Sequence, residues 1–414
     1  MTTLHSPLAG SALPHASLPA TGRLFFALLE RMEFGALTLT TPDGITRRFG
    51  PGAVAGATRD APAEADLTIR DWKLCRDVMT GGDVAFAEAY MDGRWESPDL
   101  VALLTVVACN QRALELAFYG QWWRQMAFRV KHLLRSNSKR RARKNIVAHY
   151  DLGNDFYRLW LDSTMTYSAA LFDGDPTRLI DDAQRAKYGR MQDQLTLPAG
   201  AHILEIGCGW GGFAESAASR GYRVTGISLS GAQTEYARAR IAERGLDDRV
   251  EFRIQDYRDV RGQFDGIASI EMFEAVGERY WPAFFQALRR ALSPGARAAV
   301  QTITIADERF EQYRATSDFI QQYIFPGGML PSPLRFATAA RKAGLDLAGV
   351  RRFGHDYAET LRRWLAAFDL HVDAVRAQGF NQRFIRCWRF YLAYCAAGFA
   401  SETTDVAQYT LVAA

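Results

Sequence analysis

The sequence lacks the features that mark secreted, membrane-spanning and metal-binding proteins. Its 414 residues include five cysteines, and no two of them stand at the CxxC spacing of a metal site or a redox pair. An odd number of cysteines in a long chain favours a reducing compartment over a framework of disulfide bonds. No run of roughly 18 apolar residues occurs, so no transmembrane helix is expected.

A strong net charge is also absent. The formal charge is only +4 at pH 7, so basic character matters only where it is concentrated. Residues 1–20 are rich in Ala, Ser, Pro and Leu, without a charged start followed by an apolar run. They predict a disordered tail rather than a signal peptide. Because the chain is longer than most single cores, two domains are expected.

Residues 21–110 predict a small α+β domain. Apolar spacing indicates a helix that begins near Arg23, and alternating residues on both sides of a PDG turn indicate a β-hairpin. A strand-like segment, ADLTIRD, follows the hairpin. Two helical patterns then run from Trp72 to Met79 and from Val84 to Tyr90.

Residues 111–145 predict a linker in which basic and aromatic side chains are concentrated. Nine Lys or Arg residues and no acid stand between Arg124 and Lys144, close to Trp122 and Trp123. Each base near an anionic leaflet contributes on the order of 1 kcal/mol, and Trp favours the headgroup level. The segment therefore predicts contact with an anionic phospholipid surface. A solvated linker is the plainer alternative, and single-stranded nucleic acid ranks lower because no nucleic-acid fold motif accompanies the bases.

From residue 146 to residue 414, strands and helices alternate. Five β-rich runs are separated by helical stretches; they read HILEIG, YRVTGISL, VEFRIQD, FDGIASI and ARAAVQTITI. This alternation predicts an α/β fold with a doubly wound, mostly parallel sheet. Ligands of such sheets bind outside the carboxyl ends of the strands.

A glycine-rich loop follows the first of these strands. Glu205, Gly207, Gly209 and Gly211 form ExGxGxG between a strand and a helix, where glycines let the backbone approach a ligand closely. The dinucleotide spacing GxGxxG is formally present as well, ending at Gly212. The preceding glutamate and the CGWGG sequence instead look like the first motif of class I methyltransferases, which use S-adenosylmethionine.

Short polar residues follow the next two strands. Ser228, Leu229 and Gln233 come after the second strand, and Gln255 and Asp256 come after the third. Because the carboxyl ends of parallel strands share one edge of the sheet, these residues are expected to read a single ligand.

Several motifs together resemble the cyclopropane-fatty-acyl-phospholipid synthases and mycolic acid cyclopropane synthases. They are HYDLGNDFYRLWLDSTMTYSAALF, LEIGCGWGG, VTGISLSGAQ, SIEMFEAVG, QTITI and FIQQYIFPGGMLPS, in the order of that family. The resemblance covers about residues 146–412, and GDVAFAEAYMDGRWESPDL resembles the lipid-binding domain of the longer phospholipid-acting forms. It implies a class I methyltransferase domain preceded by a small lipid-binding domain.

The resemblance assigns residues to a cofactor site and to a base site. It implies cofactor contacts at Tyr167, Ser168, Gly207, Gly209, Ser228, Leu229, Gln233, Gln255 and Asp256. The family's general base is a bound bicarbonate ion, and the matching positions are Ala169, Glu274, Gln301, Ile303 and Tyr391. Glu271 stands three residues before Glu274, which predicts that both lie on one face of a helix. No metal ion is implied.

The implied reaction moves the sulfonium methyl onto the double bond of an unsaturated phospholipid acyl chain. The resulting carbocation on the acyl chain would be stabilised by the aromatic faces of Tyr167 and Tyr391. Loss of a proton to the base would then close a cyclopropane ring. The resemblance further implies a homodimer. It also places the protein in the cytoplasm, peripheral on the inner face of the cytoplasmic membrane.

Two positions depart from the family pattern. Ala169 stands where Cys is usual, and Gln301 stands where His is usual. Gln keeps a neutral donor and acceptor but cannot carry a proton away. A methyl-branched or methylene-bearing product therefore stays open beside the cyclopropane, as do a methyltransferase for a soluble small molecule and a lipid-binding protein with an inert catalytic half.

Overall fold

The computed structural model describes residues 18–52, 64–118 and 152–413. The predicted tail up to residue 17 and most of the predicted basic linker lie outside the described residues. Among those that are described, no helix combines the length and apolar character needed to cross a bilayer.

The front unit packs helices against a four-stranded sheet. Its strands are β1 (Gly35–Thr40), β2 (Thr46–Gly52), β3 (Glu64–Ile69) and β4 (Trp95–Glu96), in the order β2-β1-β3-β4. Its helices are α1 (Ala20–Leu29), α2 (Lys73–Met91), α3 (Leu100–Cys109) and α4 (Gln111–Phe118). The β1–β2 hairpin is antiparallel, as the PDG turn predicted, whereas β3 runs parallel to β1.

One helix of this unit differs from its prediction. The two helical patterns expected on either side of a glycine pair form a single segment, α2, which is kinked where Gly82 takes φ 61° and ψ −142°. Glycine adopts this conformation readily because it has no Cβ. The chain therefore turns within the segment without ending it.

The second unit, residues 152–413, is built on a seven-stranded sheet; it holds the predicted site residues and is called the catalytic unit below. Its strands are β5 (His202–Ile206), β6 (Arg223–Ser228), β7 (Val250–Ile254), β8 (Phe264–Ile270), β9 (Leu292–Ile305), β10 (Leu345–Arg352) and β11 (Thr404–Ala413). The order is β10-β11-β9-β8-β5-β6-β7, and β11 runs antiparallel to both of its neighbours. The other pairs are parallel, so the sheet is mostly parallel, as predicted.

Helices cover both faces of this sheet. They are α5 (Asn154–Arg158), α6 (Ile180–Leu195), α7 (Gly212–Ser219), α8 (Gly231–Glu243), α9 (Trp281–Ala291), α10 (Phe310–Ala315), α11 (Pro333–Lys342), α12 (Gly354–Leu370), α13 (Val372–Ala377) and α14 (Gln382–Ala400). A π-helical turn spans Ile320–Ile324. Two separate apolar clusters pack against the strands.

The strand order places a topological switch point at β5 and β8. From β5 the chain moves outward to β6 and β7, then returns to the other side of β5 to form β8. The connections therefore diverge between β5 and β8, which opens a crevice at their carboxyl ends. Gly207 follows β5 at this point, and Glu271 follows β8.

The front unit and the carboxyl-terminal helices share one apolar core. That cluster contains Leu37 and Trp95 of the front unit together with Phe156, Trp388 and Phe390 of the catalytic unit. Arg386 on α14 supports the junction, since its guanidinium donates to the carbonyls of Tyr90 and Trp95. The same group lies 4.1 Å from the ring centroid of Tyr90.

We predict that Arg386→Met lowers the free energy of unfolding by about 1–3 kcal/mol, because two partly buried carbonyls lose their donor. Urea unfolding measures this. Arg376→Met is the matched control, since Arg376 pairs with Asp373 at the surface and such pairs contribute at most about 1 kcal/mol. Equal losses for both variants would contradict the role given to Arg386.

Candidate active site

A single cavity of about 760 Å³ lies at the carboxyl edge of the sheet and continues into the front unit. Its volume falls within the usual range for small-molecule sites. Twelve of the fourteen residues predicted for the two sites line this cavity; Ala169 and Gln301 do not.

The end of the cavity within the front unit is apolar. It is lined by Phe25, Leu28, Leu37, Leu67, Leu103 and Val107, among others. These side chains come from α1, α3 and the front sheet. Such a wall offers burial to a hydrocarbon chain and no hydrogen bonds to a polar ligand.

The glycine loop forms the opposite end of the cavity. Gly207 has φ 87°, and a Cβ at this position would stand 2.9 Å from the side chain of Met272. Gly209 has φ 49°, and a Cβ there would meet no atom within 4 Å. The first glycine thus permits close packing, and the second leaves open space beside the backbone. This cradle fits a ligand that lies directly against the loop.

The residues after β6 and β7 meet beside the loop, as predicted. Gln255 N–H donates to the carbonyl of Ser228 at 3.1 Å, and Gln233 Oε1 lies 3.4 Å from Ser228 Oγ. Asp256 is held by Arg258, whose Nε and Nη2 lie 2.7 and 2.6 Å from its two carboxylate oxygens. The strand ends therefore place these polar groups together on one side of the cavity.

Helix α6 holds Ser168 in place. Gln184 Nε2 donates to the carbonyl of Ser168 at 3.0 Å, and Lys187 Nζ donates to its hydroxyl at 2.6 Å. Lys187 has no exposed surface, and burial lowers the pKa of its ammonium group to about 7. Sequence reasoning missed this lysine, because nothing in the polar pattern around it indicates burial.

Lys187 lies among carboxyl groups. Burial raises the pKa of Glu205, the glutamate of the glycine motif, to about 8, while the charge of Lys187 opposes that rise. Glu205 Oε2 is buried and has no hydrogen-bond partner among the described residues. The glutamate therefore has an acceptor available beside the loop, which fits a cofactor that carries ammonium and hydroxyl donors.

The two tyrosines predicted to stabilise a cation touch each other. The hydroxyls of Tyr167 and Tyr391 lie 2.6 Å apart. The ring of Tyr167 packs against Tyr157, Trp160 and Trp364, each with a centroid distance of 5.5 Å. Both tyrosines line the cavity, so aromatic faces stand near the cofactor end.

Glu271 occupies the position between two of the predicted base-site residues. Its Oε1 accepts hydrogen bonds from Ala169 N–H and Gln301 Nε2, both at 2.8 Å. Its Oε2 accepts from the hydroxyl of Tyr357 at 2.6 Å. Removal from water raises the pKa of Glu271, while these donors and Lys187 lower it. Sequence reasoning noted Glu271 only as a neighbour of Glu274 and missed Tyr357.

Gln301 is oriented by two further glutamines. Gln194 Nε2 donates to Gln408 Oε1 at 2.8 Å, and Gln408 Nε2 donates to Gln301 Oε1 at 3.0 Å. Gln408 and Gln301 each accept a hydrogen bond through Oε1 from the preceding glutamine and donate one through Nε2 to the next residue. The final donor of this chain points at Glu271.

Glu274 and Ile303 form a separate contact. Ile303 N–H donates to Glu274 Oε1 at 2.5 Å. Burial, followed by the charge of Glu271, raises the pKa of Glu274 to about 8. The expectation of one shared helical face is wrong, because Glu271 takes φ 49° and only Phe273–Ala275 forms a short 3₁₀ turn. The two carboxyls nevertheless line the same cavity.

The predicted bicarbonate ion does not fit this arrangement. The N–H of Ala169 and the amide of Gln301 both donate to Glu271, the N–H of Ile303 donates to Glu274, and the hydroxyl of Tyr391 pairs with Tyr167. The three nitrogen donors expected to hold the anion are therefore already engaged by carboxylates of the protein.

Comparison with known proteins agrees with the fold. Residues 137–409 match the family model described as mycolic acid cyclopropane synthetase, which is more than half of the chain. Tuberculostearic acid methyltransferase UfaA1 of Mycobacterium tuberculosis is 39% identical over 371 residues, covering 88% of this chain and 86% of that protein. Cyclopropane-fatty-acyl-phospholipid synthase of Escherichia coli is 33% identical over 356 residues, covering 86% and 89%.

Two solved structures are also similar. The cyclopropane synthase MmaA2 from Mycobacterium tuberculosis has a TM-score of 0.61 and 29% identity, covering 65% of this chain and 97% of that one. The mycolic acid cyclopropane synthase CmaA1 complexed with SAH and CTAB has a TM-score of 0.60 and 30% identity, with the same coverage. About a third of this chain is not covered by either structure, although each solved chain is covered almost completely.

We predict that Gly209→Ala weakens binding of S-adenosylhomocysteine by at least about tenfold, or 1.4 kcal/mol, because the added methyl would project into the space beside the loop. Isothermal titration calorimetry measures the affinity. Gly200→Ala is the matched control, since Gly200 also has positive φ (74°) and an open Cβ position but does not line the cavity. Equal affinity in the two variants would argue against the cradle.

Proposed function

Because the chain belongs to the mycolic acid cyclopropane synthetase family of S-adenosylmethionine-dependent methyltransferases, we propose that it methylates the double bond of unsaturated phospholipid acyl chains. The observation that carries this proposal is the continuous cavity. One end is the glycine cradle, and the other is an apolar channel lined by residues of the front unit. A ligand that fills both ends must bring a long hydrocarbon to the cofactor.

The residues at the junction of the two ends suit this reaction. S-adenosylmethionine, when bound, supplies an electrophilic methyl group. Ser168, fixed by Gln184 and Lys187, would position the cofactor. The aromatic faces of Tyr167 and Tyr391 would stabilise positive charge on the acyl chain by roughly 0.5–2 kcal/mol per contact. The apolar wall excludes water, which would otherwise trap the cation.

The product retains the methyl carbon after a proton is lost. A cyclopropane ring and an exocyclic methylene both satisfy this balance, and each adds one CH₂ to the acyl chain. A saturated methyl branch would require a hydride in addition. The similarity to a tuberculostearic acid methyltransferase favours examining the methylene beside the ring.

A phospholipid substrate implies that the protein acts at a membrane surface. An acyl chain must leave the bilayer to enter a cavity enclosed by two units, so we propose that the protein docks on the cytoplasmic leaflet. The predicted basic linker and its tryptophans are the candidate contact with anionic lipid. A homodimer remains part of the proposal by analogy with the family.

We predict that the purified protein transfers labelled methyl from S-adenosylmethionine to vesicles of unsaturated, anionic phospholipid, adding one CH₂ per modified chain by mass spectrometry. Val107→Trp should lower this transfer several-fold while S-adenosylhomocysteine still binds, because the larger side chain narrows the apolar end. Val350→Trp is the control, since Val350 lies on the surface of β10.

Three outcomes would contradict parts of the proposal. Methylation of a soluble acceptor but never of lipid would favour a small-molecule methyltransferase. Cofactor binding without any methyl transfer would favour a lipid-binding protein. Failure to sediment with the anionic vesicles would remove the membrane contact. NMR of the released fatty acids separates a cyclopropane ring from a methylene group.

A further inference from the structure

We propose that the Glu271 carboxylate takes the place of bicarbonate as the proton acceptor of this enzyme. This inference rests on the proposed function, because the proton in question comes from the methylated acyl chain. It departs from the family expectation of a bound anion, and it assigns the base to a side chain of the protein.

The geometry of the hydrogen bonds is the first support. Ala169 N–H and Gln301 Nε2 were both predicted to hold the external anion, and both instead donate to Glu271 Oε1 at 2.8 Å. Neither residue lines the cavity, whereas Glu271 does. The carboxylate therefore stands between these donors and the cavity, where the anion was expected.

The remaining acceptor capacity of Glu271 is the second support. A carboxylate offers about four lone-pair positions, and three hydrogen bonds to Glu271 come from Ala169, Gln301 and Tyr357. One position remains for a proton. Glu271 is partly exposed and lines the cavity, so it lies on the wall that a bound acyl chain would face.

The backbone at Glu271 is the third support. Its φ of 49° lies in the left-handed region, which a side chain other than glycine occupies at an energetic cost. Strained positions of this kind persist where the surrounding structure holds them and are concentrated at functional sites. At Glu271, three hydrogen bonds to the carboxylate restrain the residue in this conformation.

The neighbouring carboxyl assigns the roles within the pair. Two carboxylates in one enclosed site do not both ionise readily. Burial raises the pKa of both carboxyls, and the charge of Glu271 adds to the rise at Glu274. Glu271 accepts three hydrogen bonds, whereas Glu274 Oε1 accepts one from a backbone N–H. We therefore assign the proton of the pair to Glu274 and the role of base to Glu271.

The step balances without any further reactant. The π electron pair of the alkene forms a bond to the sulfonium methyl, the carbon–sulfur bond breaks, and sulfur keeps that pair. One alkene carbon then carries the positive charge. Glu271 takes a proton from the new methyl, and the released C–H pair closes a cyclopropane ring. After a hydride shift from the adjacent carbon, the same pair forms a methylene instead.

The test compares three variants in buffer depleted of carbon dioxide. Wild-type enzyme should methylate unsaturated vesicles at the same rate with and without added bicarbonate. Glu271→Gln should lose at least about 100-fold of that rate, with no rescue, because the amide fills the same space and accepts no proton. Glu278→Gln is the matched control, since Glu278 pairs with Arg314 outside the cavity.

Glu271→Gly provides the sharpest arm. Glycine suits φ 49° and leaves Ala169 N–H and Gln301 Nε2 without their acceptor. This variant should bind ¹³C-bicarbonate, as followed by NMR, and should regain methylation as bicarbonate is added. Wild-type enzyme should not bind the labelled ion. Retained binding of S-adenosylhomocysteine by both variants checks that they are folded.

Wild-type activity that requires bicarbonate, binding of the labelled ion by wild-type enzyme, or full activity of Glu271→Gln would each overturn the assignment. The proposed function fails separately, if wild-type enzyme never methylates lipid. In that case the NMR comparison still decides whether Glu271 fills the anion site.

Discussion

The catalytic unit depends on how one enclosed carboxylate, that of Glu271, is satisfied. A charge removed from water is costly unless donors surround it. Here the donors come from three different elements: the segment before α6, strand β9 and helix α12, through Ala169, Gln301 and Tyr357. Meeting this requirement holds the three elements together. It also fixes Ser168 and Tyr167, which directly precede Ala169, at the edge of the cofactor cradle.

Lys187 balances this carboxylate and ties it to the cofactor site. Its ammonium group interacts with Glu271, Asp162 and Glu205 while it donates to Ser168. In a low-dielectric interior such charges act over longer distances than in water. In the proposed reaction, methyl transfer moves positive charge from the cofactor to the acyl chain, and a fixed carboxylate in the same cavity would stabilise the charge where it develops. One charge network thus serves both ends of the reaction.

The sequence predicted elements whose signals are local. The front hairpin, the five strands and the glycine loop follow from alternation, turn residues and spacing, and the strand-end residues follow from the topology of a parallel sheet. The prediction that Glu271 and Glu274 share one face of a helix was wrong, because Glu271, directly after β8, takes a left-handed backbone conformation. Lys187 gave no signal, since its burial depends on residues distant in sequence. Ala169 and Gln301 could be compared with the family, but their common partner is visible only in three dimensions.

The glutamine chain behind Gln301 constrains where an abstracted proton can go. Gln194, Gln408 and Gln301 donate in one direction toward Glu271, and neutral amides hold this orientation without accepting a proton. Tyr357 keeps its own proton, because burial raises the pKa of its hydroxyl well above the usual value. Neither Gln301 nor Tyr357 therefore accepts a proton from the Glu271 carboxyl group. In the proposed mechanism the proton taken up by Glu271 leaves toward the cavity, which would couple regeneration of the base to departure of the product and entry of water.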